Sequence, residues 1–570
     1  MPDQYAAKPR VEIGGNPLAE ELELWLESTV VDDHALLPDM FALRFRDPDH
    51  DLLEKAGIEI GTPVRILAAP IGQEATDLLI AGEVTGLEAD FDVSGSHVIV
   101  RGYDPSHRLH RGRRTETYRN VTESDIARTV AQRAGLELGR VDETTMIHRQ
   151  VSQANVSDWE LLASRARASG HEIGVVEGKF QFRKPAEAGE APESGDLASD
   201  DPLQLVLGAD LERFDARVTS ADQVKQVTVR GWDPARKEAV VGTAPAQTVS
   251  ASLAVDPSGL ASTFGDPAHV AVDRPLASQQ EVDESARALA EQIASSFAEA
   301  EGIAQGNPRI RAGTSISVGL TGAPFAGLYT VTSSRHVFDS EGYKTRFTVS
   351  GRQVRSLLAL SSPDGGNGGT VNGRGAPING VVPAQVTSVS DGSNQARLKL
   401  AFPWLSETYE SDWVRVVQPG AGNGRGLVAL PEVGDEVLVA FEHGDVQRPY
   451  VLGGLYNGVD LPPLGDGFVD AQTGEVQRRL FKSRNEHSIV FADGERDDGL
   501  TLATREDDLK IALDHNKTTI TISSKGEIVI EANGELSIRS KSLSLTAEDG
   551  VSIDGGRGNV DVKGRQVRLN

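Results

Sequence analysis

Hydrophobic and polar positions alternate along most of this chain, and the period of the alternation changes several times. In the first hundred residues, VRILAAPI, DLLIAGEVTGLEADF and HVIVRGYD are broken by Gly, Pro and Asp, which predicts strands joined by turns. TESDIARTVAQRAGL shifts to a helical period. Acidic residues occupy its first turn, Ile126 and Val130 are four apart, and Gly135 offers a stop. A second helix is predicted from Ser157, where Ser157 and Glu160 form an S-x-x-E capping box. Trp159, Leu162 and Ala166 share one of its faces, and Gly170 follows as a C-cap. Leu289, Ile293 and Phe297, spaced by four, predict a third helix over Glu281 to Glu301. PAEAGEAPESGDLASDDP, Pro185 to Pro202, reads as a loop or linker. Strands return with QLVLG and KQVTVRGWDP, and again from Arg309 to Arg352.

Leu358 to Gly380 contains SSPDGGNGGTVNGRGAPING, the clearest linker in the chain. A compact β segment follows over Val381 to Gly458. After the Pro/Gly hinge LPPLGDGF, the pattern becomes a ladder of apolar pairs: Ile520/Ile522, Ile528/Ile530, Leu536/Ile538, Leu543/Leu545 and Val551/Ile553. Successive pairs are 8, 8, 7 and 8 residues apart, each reading as a short strand with one buried face. VIVRGYDP (98–105) echoes VTVRGWDP (227–234). Two β-barrels with similar strand ends would produce that echo, and so would chance similarity between strand–turn sequences.

The chain has 570 residues, enough for several domains. It has no cysteine, which excludes disulfides, thiolate metal sites and a Cys nucleophile. The N-terminal residues lack an apolar signal core, and no run of about 18 apolar residues predicts a membrane-spanning helix. Assembly in a reducing cytoplasm is the expectation. A net charge of −27 argues against broad nucleic-acid binding. The basic cluster Arg108, Arg111, Arg113 and Arg114 is read as a solvated or interface loop pairing with acidic neighbours.

Catalytic signals are sparse. His107 and His110 could share a face of a short helix, but nothing nearby completes a tetrahedral metal site. GAGNGRG (420–426) lacks the Gly-Lys-Ser/Thr ending of a phosphate loop and reads as a hairpin loop. DGERDDG (493–499) does not match the carboxylate spacing of an EF-hand and reads as a turn between strands. No cofactor, metal or catalytic residue is assigned.

FPWLSETYESDWVRVVQPGAGNGRGLVALPEVGDEVLVAFEHGDVQRPYVLGGLYNG (402–458) closely resembles the OB-fold barrel of VgrG-type spikes and related phage baseplate spikes. The likeness takes in Trp404, SDWVRV, LPEVGDEVLV, FEHGD and RPYVLGGLYNG. Gly434 and Gly444 suit its turns, and Val433, Val437 and Val439 suit inward packing. Looser likeness to the family's hub extends over GYDPSHRLHRGRRTETYRNVTESDIA, SDWELLASRARASG and IRAGTSISVGLTGAPFAGLYTVTSSRHVFDSEGYKTRFTVSGR. The ladder resembles its needle.

The resemblance implies a mainly β fold with a few α-helices: two hub β-barrel domains, an OB-fold barrel and a C-terminal intertwined trimeric β-helix, a triangular prism. The expected segments are a hub over 1–360, a Gly-rich linker over 361–380, the OB barrel over 381–458, a linker over 459–480 and the needle over 481–570. An octad ladder is too thin to enclose a core alone, whereas three chains could each supply one wall. The ten paired residues would then face the shared axis, with Gly526 and Gly534 at the corners. The family implies a homotrimer contacting an inner-tube ring protein and other baseplate proteins, with possible effector cargo. It also implies a PAAR-type tip protein at the blunt end near Val567, Leu569 and Asn570. The expected role is a structural hub and spike that pierces an envelope, without an enzyme of its own. A trimeric polysaccharide depolymerase and a receptor-binding tail spike are the alternatives.

Overall fold

The computed structural model of this chain describes residues 6–70, 77–93, 95–195, 197, 201–272, 275–352, 378, 380–463 and 468–568. Most of the predicted 361–380 linker therefore lies outside the described residues, as does part of the 459–480 hinge. The chain divides into two compact units, Met1–Asn457 and Gly458–Asn570.

Strict alternation builds the first unit. In the strand Met40–Arg46, Phe41, Leu43 and Phe45 are fully buried while the intervening residues face outward. Seven strands from the first hundred residues extend into an eleven-stranded sheet with Leu211–Val218, Ala298–Gln305, Ser333–Asp339 and Gly342–Val349. The seam between the two groups is the antiparallel pairing of Ser333–Asp339 with Leu26–His34. The expected barrel-like halves thus share one sheet, with one apolar core that reaches across the seam to Phe338 and Tyr343 and a second built from the later strands. Two strands carry the echoed sequence. At Gly102 a Cβ would fall 2.2 Å from the carbonyl oxygen of Glu83, and at Gly231 it would fall 2.3 Å from that of Leu276. Glycine stands at both positions because a neighbouring backbone already fills the space.

Helices fill a second layer. Glu123–Arg133 starts on a Thr122/Asp125 capping box and is followed by Gly135 at positive φ. Asp158–Ala168 starts on the Ser157/Glu160 box, with Trp159, Leu162 and Ala166 buried together. Arg165 on the second helix reaches Glu123 on the first with Nε at 2.9 Å and Nη2 at 2.5 Å. Burial pushes the Glu123 carboxyl up, but Arg165 and His148 outweigh it and hold the pKa down to about 2.

The third predicted helix is shorter than expected. It spans Gln279–Ala294, tightens to a 3-10 turn at Ser295–Phe297 and passes into the strand Ala298–Gln305. The hydroxyls of Ser295 and Ser296 donate to the carbonyls of Gln292 and Ile293, which tightens the last turn. Ala298, Ala300, Gly302 and Ala304 then impose a period of two. The Pro185–Pro202 stretch is no free linker. Ala188 is buried, its N–H donates to Val249 at 2.7 Å, and Ser315 Oγ donates to Glu187 at 2.8 Å.

Residues 381–454 form a five-stranded sheet around Leu398, Leu400, Phe402, Val437 and Val439. Val433, expected inside, is 60% exposed, because it lies in the turn ahead of Gly434 and outside the alternating strand. Trp404 Nε1 donates to Pro383 at 2.9 Å. The barrel docks on the ribbon of Arg114–Val121 with His148–Val156. Tyr409 Oη and Ser152 Oγ are 3.0 Å apart and buried, and Arg149 and Arg119 pair with Asp412 and Glu410. Tyr409→Phe keeps the ring and removes this bond, so unfolding of the first unit is expected about 1 kcal/mol easier by chemical denaturation.

Around the seam, Asp33, Asp39 and Asp104 are all buried near a single guanidinium, that of Arg311. Burial, with Asp33 and Asp104 alongside, raises Asp39 well above an ordinary carboxyl, and burial raises Asp104 to about 6. For such groups stabilisation is complete below the unfolded pKa of about 3.9 and is lost as pH rises through the folded value. Asp39→Asn keeps an oxygen to accept from the His34 N–H and removes the buried charge. Thermal unfolding from pH 4 to 8 should show the variant gaining on the parent as pH rises, by a few degrees at pH 8. A constant difference across the range would refute the cluster's titration.

Candidate assembly surface

In the second unit, five strands form an antiparallel meander: Arg478–Lys482, Ser488–Gly494, Asp497–Ala503, Leu509–Asp514 and Thr519–Ser524. The DGERDDG turn sits between the second and third, where Gly494 pairs with Asp497. Directly opposed residues in such a sheet share a face. The register therefore lines up Phe481, Ile489, Leu502, Ile511 and Ile522 in one row across all five strands. A second row on that face runs Arg479, Phe491, Leu500, Leu513, Ile520.

The apolar face is the uncovered one. Phe491 is 52% exposed, and Phe481, Ile489, Leu502, Ile511 and Leu513 are also exposed, whereas Leu480, Val490 and Ala512 on the opposite face are partly covered. Among the described residues of this unit, Ala492 is the buried apolar side chain. An antiparallel sheet ordinarily hides its apolar face and wets the other. Here the order is reversed, and a contiguous apolar patch of this kind marks an interaction surface.

The ladder continues that face along the chain. Ile520 and Ile522 belong to the last strand of the meander. After Ser524 no described residue forms a strand, which corrects the expectation that each apolar pair is a strand of its own. Alternation is present, but a strand also requires a partner for its backbone groups. Ile520, Ile522, Ile528, Ile530, Leu536, Ile538, Leu543, Leu545, Val551 and Ile553 range from 51% to 72% exposed. Gly526 and Gly534, expected at corners for their tolerance of positive φ, do not adopt it; Gly550 and Gly556 do. Both stand in bends outside the left-handed region with room for a would-be Cβ, so the single chain itself makes no demand for glycine there. Val567 is exposed, and Leu569 and Asn570 lie outside the described residues.

The sequence reading missed the two rows across the meander. Their signal was present as the pairs 489/491, 500/502 and 511/513, at wider steps than the octad that drew attention to Ile520 onward. The basic cluster is placed as expected: Arg108 pairs with Glu83, Arg113 with Glu160 and Arg114 with Asp158. His107 faces Glu83, and His110 stacks on Trp159 at 4.7 Å between ring centres.

The family described as type VI secretion system/phage-baseplate injector OB domain matches residues 382–456, and the Alg8 N-terminal domain family matches residues 64–339. A type VI secretion system spike protein, VgrG3 of Vibrio cholerae, is 32% identical over 130 residues, which is 22% of this chain and 13% of that protein. The actin cross-linking toxin VgrG1 of Vibrio cholerae is 39% identical over 71 residues, 12% of this chain and 6% of the toxin. The chain therefore matches only a small part of the length of these curated relatives. A chain of the Francisella PdpA–VgrG complex superposes with a TM-score of 0.53 at 9% identity, over 92% of this chain and 81% of that one. Among the described residues no helix is long and apolar enough to cross a membrane. The matched injector barrel, the similar spike proteins and the shared fold together liken this chain to VgrG-type baseplate hub proteins.

Proposed function

We propose that this chain is the structural hub and spike of a phage-tail-like injection system and that it works as a homotrimer. The observation that carries the reading is the inverted sheet of the second unit, whose apolar face and apolar ladder are open to water in one copy. Two further copies, each offering the same face, would cover it around a threefold axis. Burial of each such side chain contributes about 1.5–3 kcal/mol. Summed over the rows of the meander and the ladder, this opposes the repulsion between acidic copies, which is weakened at physiological salt, where exposed charges more than about 8 Å apart are largely screened.

In this reading the ten ladder residues line the axis of a prism, and Gly526 and Gly534 let neighbouring chains approach at its corners. The eleven-stranded sheet of the first unit and its helices form the hub that meets an inner-tube ring protein and other baseplate proteins. The end near Val567, Leu569 and Asn570 receives a conical tip protein of the PAAR type. The chain acts mechanically, as the part that pierces an envelope, and any effector travels as separate cargo. Segments 1–360, 381–458 and 481–570 are assigned to hub, OB barrel and needle.

Light scattering of the purified chain at micromolar concentration tests the reading, and a monomer there overturns it. Ile528→Asp and Leu502→Asp each place a charge on the shared face. Both are expected to shift the population towards monomer or lower the trimer melting temperature by several degrees. An unaltered trimer melt in both variants would contradict the assignment of this face.

A further inference from the structure

A cavity of about 860 Å³ opens in the first unit between the C-terminal end of the helix Asp158–Ala168, the helix Gln279–Ala294 and the loops around Leu36, Met146 and Pro185. Leu36, Leu37, Met146 and Val249 give it apolar wall, and Arg167 stands in it. The Arg167 Nε donates to the carbonyl of Ala163 at 3.1 Å. Among the described residues its two terminal nitrogens have no partner. A guanidinium cannot shed its charge, so one removed from water without a counter-ion is costly. Burial alone pulls its pKa down, with no carboxylate close enough to oppose the shift.

The contrast with Arg165, two residues earlier, is informative: Arg165 is held by both oxygens of Glu123. Of the other carboxylates that line the cavity, Glu143, Glu172 and Glu291 are committed, whereas Glu187 and Glu284 make no ion pair among the described residues. Glu143 pairs with Arg128, Glu172 with Arg183 at 3.1 Å, and Glu291 with Arg352 at 3.2 Å. Lys184 and Arg287 line the same cavity and make no ion pair among the described residues. The space therefore combines apolar wall with three uncommitted cations, Arg167, Lys184 and Arg287, against two uncommitted carboxylates, Glu187 and Glu284, a positive balance that suits an anion with an apolar body.

We propose that this cavity is a binding site for a small organic anion, a carboxylate or phosphate monoester with an apolar body, whose charged group is received by Arg167. The site is distinct from the assembly surface of the second unit and stands whether or not the chain forms a trimer.

Calorimetric titration of the full-length chain with 4-phenylbutyrate, phenyl phosphate and the neutral 4-phenyl-1-butanol tests it. One site per chain is expected for at least one of the two anions, and whichever binds identifies the preferred head group. The alcohol should bind at least about tenfold more weakly, and Arg167→Met should weaken the anion at least about tenfold while Arg167→Lys retains much of it. In ligand-free protein Arg167→Met should melt at or above the parent temperature, since it removes an unpaired, half-buried charge. Failure of both anions to bind, binding unchanged in Arg167→Met, or a destabilised Arg167→Met protein overturns the proposal. The last result would make Arg167 a structural residue of the helix end.

Discussion

One guanidinium holds the two halves of the first unit together. Arg311 lies in the loop between the strands Ala298–Gln305 and Ser315–Gly319, far in sequence from the groups it binds. Its Nε meets Asp33 at 3.0 Å, while its two terminal nitrogens donate to the carbonyls of Leu78 and Leu79, each at 3.0 Å. Asp33 belongs to the strand at the seam and the leucines to a strand further into the amino-terminal half. Each of its three side-chain nitrogens thus donates to the opposite half. Loss of either partner of such a buried pair leaves an uncompensated charge, with a cost of about 3–5 kcal/mol. The continuous sheet, and through it the platform that carries the OB barrel, depends on this clamp staying satisfied.

The two units solve the burial problem differently. The first distributes its apolar residues over five cores, each closed by elements of the same chain. The second presents a well-paired sheet whose hydrogen bonds are internal but whose apolar face is exposed among the described residues. Hydrogen bonding and hydrophobic burial, which usually arrive together, are separated there. The backbone of the meander is satisfied by one chain, and its side chains are not.

Much of this was legible in the sequence where local rules decide. The capping box at Ser157 set a helix start because a side-chain oxygen and a backbone N–H three residues apart suffice for the motif, and the box at Thr122, not singled out in the sequence, works the same way. The OB barrel was legible because 402–458 closely resembles a known family's barrel along its whole length. Register between distant strands was not. Nothing local tells that Ser333–Asp339 pairs with Leu26–His34, and that pairing merges two expected barrels into one sheet. The end of the helix at Ala294 was obscured because Ala and Ser tolerate helix and strand alike, so the tertiary period at Ala298 decided. The assembly surface was half legible. The octads from Ile520 stood out by their regularity, while the equivalent pairs at Ile489 and Leu500 were hidden by turns that let the chain fold back on itself.

The widening of the spacing before Ile520 and its contraction after it has a consequence for synthesis. Up to Ser524 the chain can finish its pairing alone, by a reaction first order in protein. Beyond Ser524 it has formed no strand, and any ordering that needs other copies must be of higher kinetic order. At low copy number the amino-terminal part would mature and wait, with an adhesive tail trailing from it. Co-translation of several copies from one message would shorten that wait. In the trimeric reading the timing of completion is set by local concentration rather than by the intrinsic folding rate of the polypeptide.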